Sequence, residues 1–161
     1  MTADEKAADL SKTKAGTVAT VSGNKYKVLT NVSGSKPGTV VFVKAKNAKN
    51  VTVPKTVKIN NKVFNVTQIN AKAFMGKKIR KVTIGANIKK IGANAFKSSK
   101  ATTIVLKTKL LKKTGVKNSL KGSKVKTVQV KVGAKSINKK YVKKYKKIFT
   151  KKIVGKKVVV K

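Results

Sequence analysis

The sequence predicts a mainly β protein: a short parallel β-solenoid closed by a β-rich N-terminal cap and by a C-terminal helix plus strand. Three observations predict it. Ile69-Asn70-Ala71-Lys72-Ala73-Phe74 recurs twenty-two residues later as Ile91-Gly92-Ala93-Asn94-Ala95-Phe96. Short β-branched runs precede the turns, and a repeat of that length with apolar residues in fixed places is a solenoid signature. Past Ser136 the apolar period changes to four, which marks a helix.

The elements follow in order. Residues 1–15 are polar and rich in Ala, Lys and Asp, without strand periodicity, and are expected to form a flexible leader. Residues 16–50 are expected to form a β cap. Val18 to Val21 and Tyr26 to Leu29 flank Ser22-Gly23-Asn24-Lys25, a hairpin signal, and Thr39 to Ala45 is a further strand. An open solenoid end exposes core and strand edge, so a cap is physically required. Residues 51–132 are expected to hold the repeats. The first begins at Val51-Thr52-Val53-Pro54 and is lengthened by a small hairpin around Asn60-Asn61. The second runs from about Ile79 to Lys100. The third begins at Thr103-Ile104-Val105-Leu106, and its turn, Asn118 to Lys124, puts Leu120 where Phe96 stood. Val125 to Val132 gives the next strand. Alternation points Val82, Ile84, Ile104, Leu106, Val128 and Val130 inward, and Thr83, Val105 and Gln129 outward. Residues 133–161 are expected to form the second cap. Ile137, Tyr141, Tyr145 and Phe149 recur every four residues over a lysine-filled opposite face, with Ser136 as N-cap and Val158-Val159-Val160 as a closing strand. Such a helix packs on the last repeat; a membrane-surface helix shares the pattern, with a broader apolar face.

These motifs resemble the BspA-like leucine-rich repeats of bacterial surface proteins. The unit reads as a short strand, then Ile-Gly, then a small-x-Ala-Phe turn. Val82-Thr83-Ile84-Gly85 matches the strand, Ile88 to Ile91 the second short segment, and Ile91 to Phe96 the turn. The resemblance covers roughly residues 51–132. It implies an exported, usually much longer protein that mediates attachment to host matrix, epithelium or other microbes. The opening MTADEKAADL lacks the basic start and apolar core of a signal peptide, so the chain is expected to be a fragment or C-terminal domain. The family's repeats usually carry a mixed surface; the scarcity of acids here departs from it and shifts the expectation towards binding led by charge.

Composition removes most catalytic chemistry. Lys plus Arg number 42 against three acids, and His and Cys are absent. The acids are Asp4, Glu5 and Asp9, and all basic residues but Arg80 are lysines. Of the usual general acids and bases only Lys and Tyr remain beyond Asp9, and nucleophile triads and zinc, calcium or magnesium sites need residues missing there. A Schiff-base lysine remains chemically open, but nothing singles one out. No phosphate-binding or dinucleotide fingerprint is present. The chain is therefore expected not to be an enzyme and to use no catalytic, cofactor or metal site. No apolar run is long enough for a transmembrane helix.

A formal charge of +39 goes beyond what solubility needs and surrounds the chain with a positive potential. The expected partners are anionic polymers (teichoic acid, glycosaminoglycan, acidic glycan), anionic lipid surfaces or host surface proteins, in an extracellular or cell-surface setting. The candidate polyanion-binding residues are Lys77, Lys78, Arg80, Lys81, Lys89, Lys90, Lys97, Lys112, Lys113, Lys143 and Lys144. Two alternatives stay open. One is nonspecific nucleic-acid binding, since lysines neutralise phosphates but the near absence of Arg argues against base reading. The other is a structural spacer or cap with no ligand of its own.

Overall fold

The computed structural model describes residues 13–161. Most of the expected leader lies outside the described residues. Strands β1 (Val18–Val21) and β2 (Asn24–Thr30) form an antiparallel hairpin. Ser22 and Gly23 between them both have positive φ, 50° and 84°, as a two-residue turn matched to strand twist requires. Strand β3 (Gly38–Lys44) pairs antiparallel with β2 on one side and parallel with β6 (Lys62–Ile69) on the other. The hairpin expected around Asn60-Asn61 joins β5 (Thr56–Ile59) to β6, and both asparagines are left-handed. The short strand β8 (Lys90–Ile91) continues this sheet by pairing parallel with β6.

The second sheet is the solenoid's main wall. Strands β4 (Asn50–Val53), β7 (Lys81–Ile84), β9 (Thr103–Leu106), β10 (Thr127–Val130) and β11 (Val159–Val160) pair in the spatial order β11-β10-β9-β7-β4, every pair parallel. The register is the one the repeat alignment predicts: Val82 lies opposite Ile104 and Ile104 opposite Val128. Val82, Ile84, Ile104, Leu106, Val128 and Val130 are all buried. Val105 lines the outer face as alternation predicts, mid-sheet between Thr83 and Gln129 and in a groove shared with Lys81, Lys107 and Lys131, and there it is only 3% exposed.

Phe74 and Phe96, both wholly buried, occupy equivalent sites in adjacent coils. Their rings stack at 4.7 Å with a 9° interplanar angle. Phe42 stacks on Phe74 at 5.4 Å, and Tyr26 closes the column edge-on against Phe42 at 5.4 Å. Leu120, also buried, follows in the next coil. The turns stack through their backbones: Phe74 N–H donates to the Ala95 carbonyl (2.8 Å) and Asn94 N–H to that of Asn118 (2.9 Å). Each turn needs one left-handed residue at its start, supplied by Lys72, Asn94 and Asn118 (φ 60°, 58° and 56°). Asn suits that conformation better than Lys. Gly92 answers a different demand. A Cβ there would lie 2.3 Å from the Ala71 backbone nitrogen, so the coils meet too closely for any side chain.

Helix α1 (Lys135–Lys146) and the one-turn helix α2 (Lys151–Val154) precede β11. The expected span to Phe149 is too long: α1 stops at Lys146, and Ile148 and Phe149 reach the core from the following turn. Ser136 is not the N-cap. Ala134 occupies that place without a side-chain hydrogen bond. Asn138 inside the first turn instead reaches back, its Oδ1 accepting from Val132 N–H (2.7 Å) and Gly133 N–H (3.0 Å). Tyr145, fully buried, anchors the helix by donating its hydroxyl proton to the Thr108 carbonyl at 2.6 Å.

Candidate functional site

Of the 42 basic residues, all but Lys6 and Lys12 fall in residues 13–161, where no carboxylate side chain occurs. No carboxylate among these residues offsets the cations, and the repeat stacks many of them in columns. Successive coils of a parallel sheet lie about 4.8 Å apart. In the register of β7, β9 and β10, Lys78, Lys100 and Lys124 share one column, three residues before each strand. Lys49, Arg80, Thr102 and Lys126 form a second. Arg80 N–H donates to the Lys49 carbonyl (2.8 Å), Thr102 N–H to that of Arg80 (3.0 Å), and Lys126 N–H to that of Thr102 (2.9 Å).

Among the described residues, three shallow grooves are lined by three or more lysines. The first, about 390 Å³, is lined by Asn47, Ala48, Lys49, Lys78, Arg80 and Lys100. Asn47 Oδ1 accepts from Lys78 N–H at 2.8 Å and fixes one wall. The second, about 550 Å³, lies on the outer face of the main sheet, with Lys55, Lys81, Lys107 and Lys131 around Thr52, Thr83 and Val105. The third, about 430 Å³, has an apolar floor of Leu111 and Ile148 and a rim of Lys112, Lys113, Lys144 and Lys147.

The candidate residues thus separate into several places. Lys78 and Arg80 meet in the first groove, Lys81 lines the second, and Lys112, Lys113 and Lys144 meet in the third. Lys90 begins the strand that pairs with β6, and Lys89 immediately precedes it; both sit apart from the grooves. Lys97 lies in a turn, its Cγ beside Gly122, and Lys143 is exposed on α1. Lys77 is half-buried. Lys49, Lys55, Lys100, Lys107, Lys131 and Lys147 also line these grooves and were missed as candidates. Lys100 was findable from the repeat, since it is offset from Lys78 by one coil. Lys147 carried no local signal, because its neighbourhood with Lys112 is made only by the packing of α1.

Two tyrosines are chemically set apart. Burial pushes the phenol of Tyr26 up to about 12, against a lowering hydrogen bond with Asn24. Burial likewise pushes Tyr145 up to about 12, against a lowering backbone hydrogen bond at Leu111, with Tyr141 adding slightly to the rise. Both stay protonated at neutral pH and serve as packing groups. Among the described residues no cluster of His, Cys, Asp or Glu is able to hold a metal ion, and no helix is long and apolar enough to cross a membrane.

This arrangement of stacked strands, Ala-Phe turns and exposed columns defines a repeat protein. The profile of the family described as "BspA type Leucine rich repeat region (6 copies)" matches residues 38–156. The chain belongs to that family. Among solved structures it is similar to the pneumococcal vaccine antigen PcpA, with 29% identity and a TM-score of 0.50, over 73% of this chain and 30% of that one. It also resembles a leucine-rich cell surface protein from Faecalibacterium prausnitzii A2-165 (18% identity, TM-score 0.45), over 71% of this chain and 27% of that one. A third likeness is a leucine-rich repeat protein from Bacteroides capillosus ATCC 29799, with 17% identity, a TM-score of 0.47, and coverage of 70% of this chain and 80% of that one. The chain spans less than a third of the length of the first two. No curated protein matches the sequence.

Proposed function

We propose that the chain is a non-enzymatic binding module of a bacterial surface protein, holding extended anionic polymers along its lysine columns. The observation that carries this reading is the pair of adjacent columns, Lys78, Lys100 and Lys124 beside Lys49, Arg80 and Lys126, the second interrupted only by Thr102, with no acid among the described residues. A periodic row of cations suits a periodic row of anions, such as the phosphates of a teichoic acid or the sulfates and carboxylates of a glycosaminoglycan or acidic glycan. Each contact is individually weak, and their number supplies the avidity. The surface setting is supported by the family and by the likeness to a vaccine antigen. Leucine-rich repeats of this kind ordinarily bind or support rather than catalyse, which agrees with the missing His, Cys and acids.

The test is a salt titration of binding to lipoteichoic acid, heparin and duplex DNA. Tighter binding to lipoteichoic acid or heparin than to DNA at each salt concentration, falling as salt rises and weakened by joint Lys78→Gln, Lys100→Gln and Lys124→Gln substitution, is the expected result. Equal binding to all three, abolished together by salt, reduces the behaviour to counterion release. Indifference to all three at low salt overturns the reading and leaves a spacer or cap.

A further inference from the structure

The third groove differs from the other two in kind. They are lined by polar and cationic groups, or by a sheet face, whereas this one has an aliphatic floor, Leu111 and Ile148, inside a ring of four lysines. The bond from Tyr145 to the Thr108 carbonyl straps the loop that follows Thr108 along α1. Lys109 and Lys144 then stand over the half-buried ring of Tyr141 at 6.0 and 5.4 Å. Leu110 on that loop is 43% exposed, and Ile137, one turn before Tyr141, is 37% exposed. Leu110, next in the chain to the floor residue Leu111, and Ile137, on the helix that carries Lys144, thus add partly exposed aliphatic side chains to a lysine-rich loop and helix, an amphipathic cationic surface.

We propose that this end of the molecule, the loop of residues 108–113 together with α1, docks on an anionic lipid bilayer. The lysines meet the phosphate headgroups. Leu110 and Ile137 enter the boundary between headgroups and acyl chains, and Tyr141 sits at headgroup depth, where an amphipathic ring is favoured. Charge complementarity selects this occupant. The groove is too open to enclose a small molecule, and no acid on α1 or the loop opposes a negatively charged plane. The proposal extends the polyanion reading, on whose cationic coat it rests, and gives this face a contribution that salt does not screen.

The experiment uses the 161-residue chain with vesicles of phosphatidylglycerol, and of phosphatidylcholine as the neutral control. Co-sedimentation with phosphatidylglycerol that persists in part at high salt is expected. Joint Leu110→Ser and Ile137→Ser substitution, at exposed sites that leave the core intact, is expected to weaken it roughly tenfold. Joint Lys49→Gln, Lys78→Gln and Lys100→Gln substitution lies in another groove and is expected to change the salt-resistant part little. The chain has no Trp, so Ile137→Trp supplies a single reporter whose emission shifts to the blue on vesicles. Unaltered vesicle binding by the serine variant, or an unshifted reporter on vesicles that do bind, overturns the proposal. So does capture of an acidic amphipathic peptide with vesicles ignored. Binding to heparin but not to phosphatidylglycerol at low salt refutes the bilayer site while the polyanion reading stands; failure of both removes both.

Discussion

Ser119 sits where the two preceding coils have Ala95 and Ala73. All three are fully buried, and Ser119 Oγ has no hydrogen-bond partner. An unsatisfied buried hydroxyl costs more than the methyl it replaces. Ser119→Ala is therefore expected to stabilise the fold by about 1 kcal/mol, read as a raised midpoint in thermal or urea denaturation. Tyr26 and Tyr145 make a second expectation. Their folded pKa of about 12 lies above the ordinary 10.0, so the buried neutral phenols contribute stability that is fully present below pH 10 and is lost as pH rises through about 12. Tyrosinate absorbance should show this late ionisation, and Tyr145→Phe should remove one late-titrating group. Neither Ser119 nor the phenols announce this in the sequence. Ser119 becomes conspicuous only once its column partners are known to be alanines inside a wall.

Among the elements, the aromatic column is what joins hairpin to repeats. Tyr26 belongs to β2, Phe42 to β3, and Phe74 and Phe96 to successive turns, yet they stack as one series. Phe96→Ala leaves a gap between Phe74 and Leu120 and is expected to cost about 3–5 kcal/mol, measured by chemical denaturation. The strand register of the main sheet was legible because side chains alternate strictly and the repeat length barely changes: Val82, Ile104 and Val128 had one alignment available. The Asn60-Asn61 hairpin was legible for the same local reason. The helix cap was not. Ser136 is a good cap by residue type, but Asn138 a few residues on accepts from the Val132 and Gly133 N–H groups, and that local bonding, not residue type at the cap, sets the helix start. The parallel pairing of β3 with β6 was also hidden, since β4, which pairs with β7, and β5, which pairs antiparallel with β6, intervene in the sequence.

At the scale of the whole molecule, the core is ordinary and the coat is not. Buried Val, Ile and Phe hold the coils together while forty cationic side chains repel one another across the surface of residues 13–161. Screening shortens that repulsion to about 10 Å at 0.1 M salt and about 3 Å at 1 M. Thermal stability is expected to rise with added salt, and to rise at much lower concentration with a polyanion that binds the folded form. The three grooves show why the candidate site was only partly readable. A lysine's presence on the surface is compositional. Its neighbours depend on which columns the coils align, as for Lys78 with Lys100, or on how α1 docks, as for Lys144 with Lys112.

Acid unfolds most proteins by protonating carboxylates that were paired when folded, or by charging buried histidines. From Thr13 onward this chain has neither. Its melting temperature should therefore stay nearly level between pH 7 and pH 3, a range in which ordinary domains lose their anchoring charges. A repeat built this way keeps its coils wound in acid that would unfold a domain anchored by carboxylates.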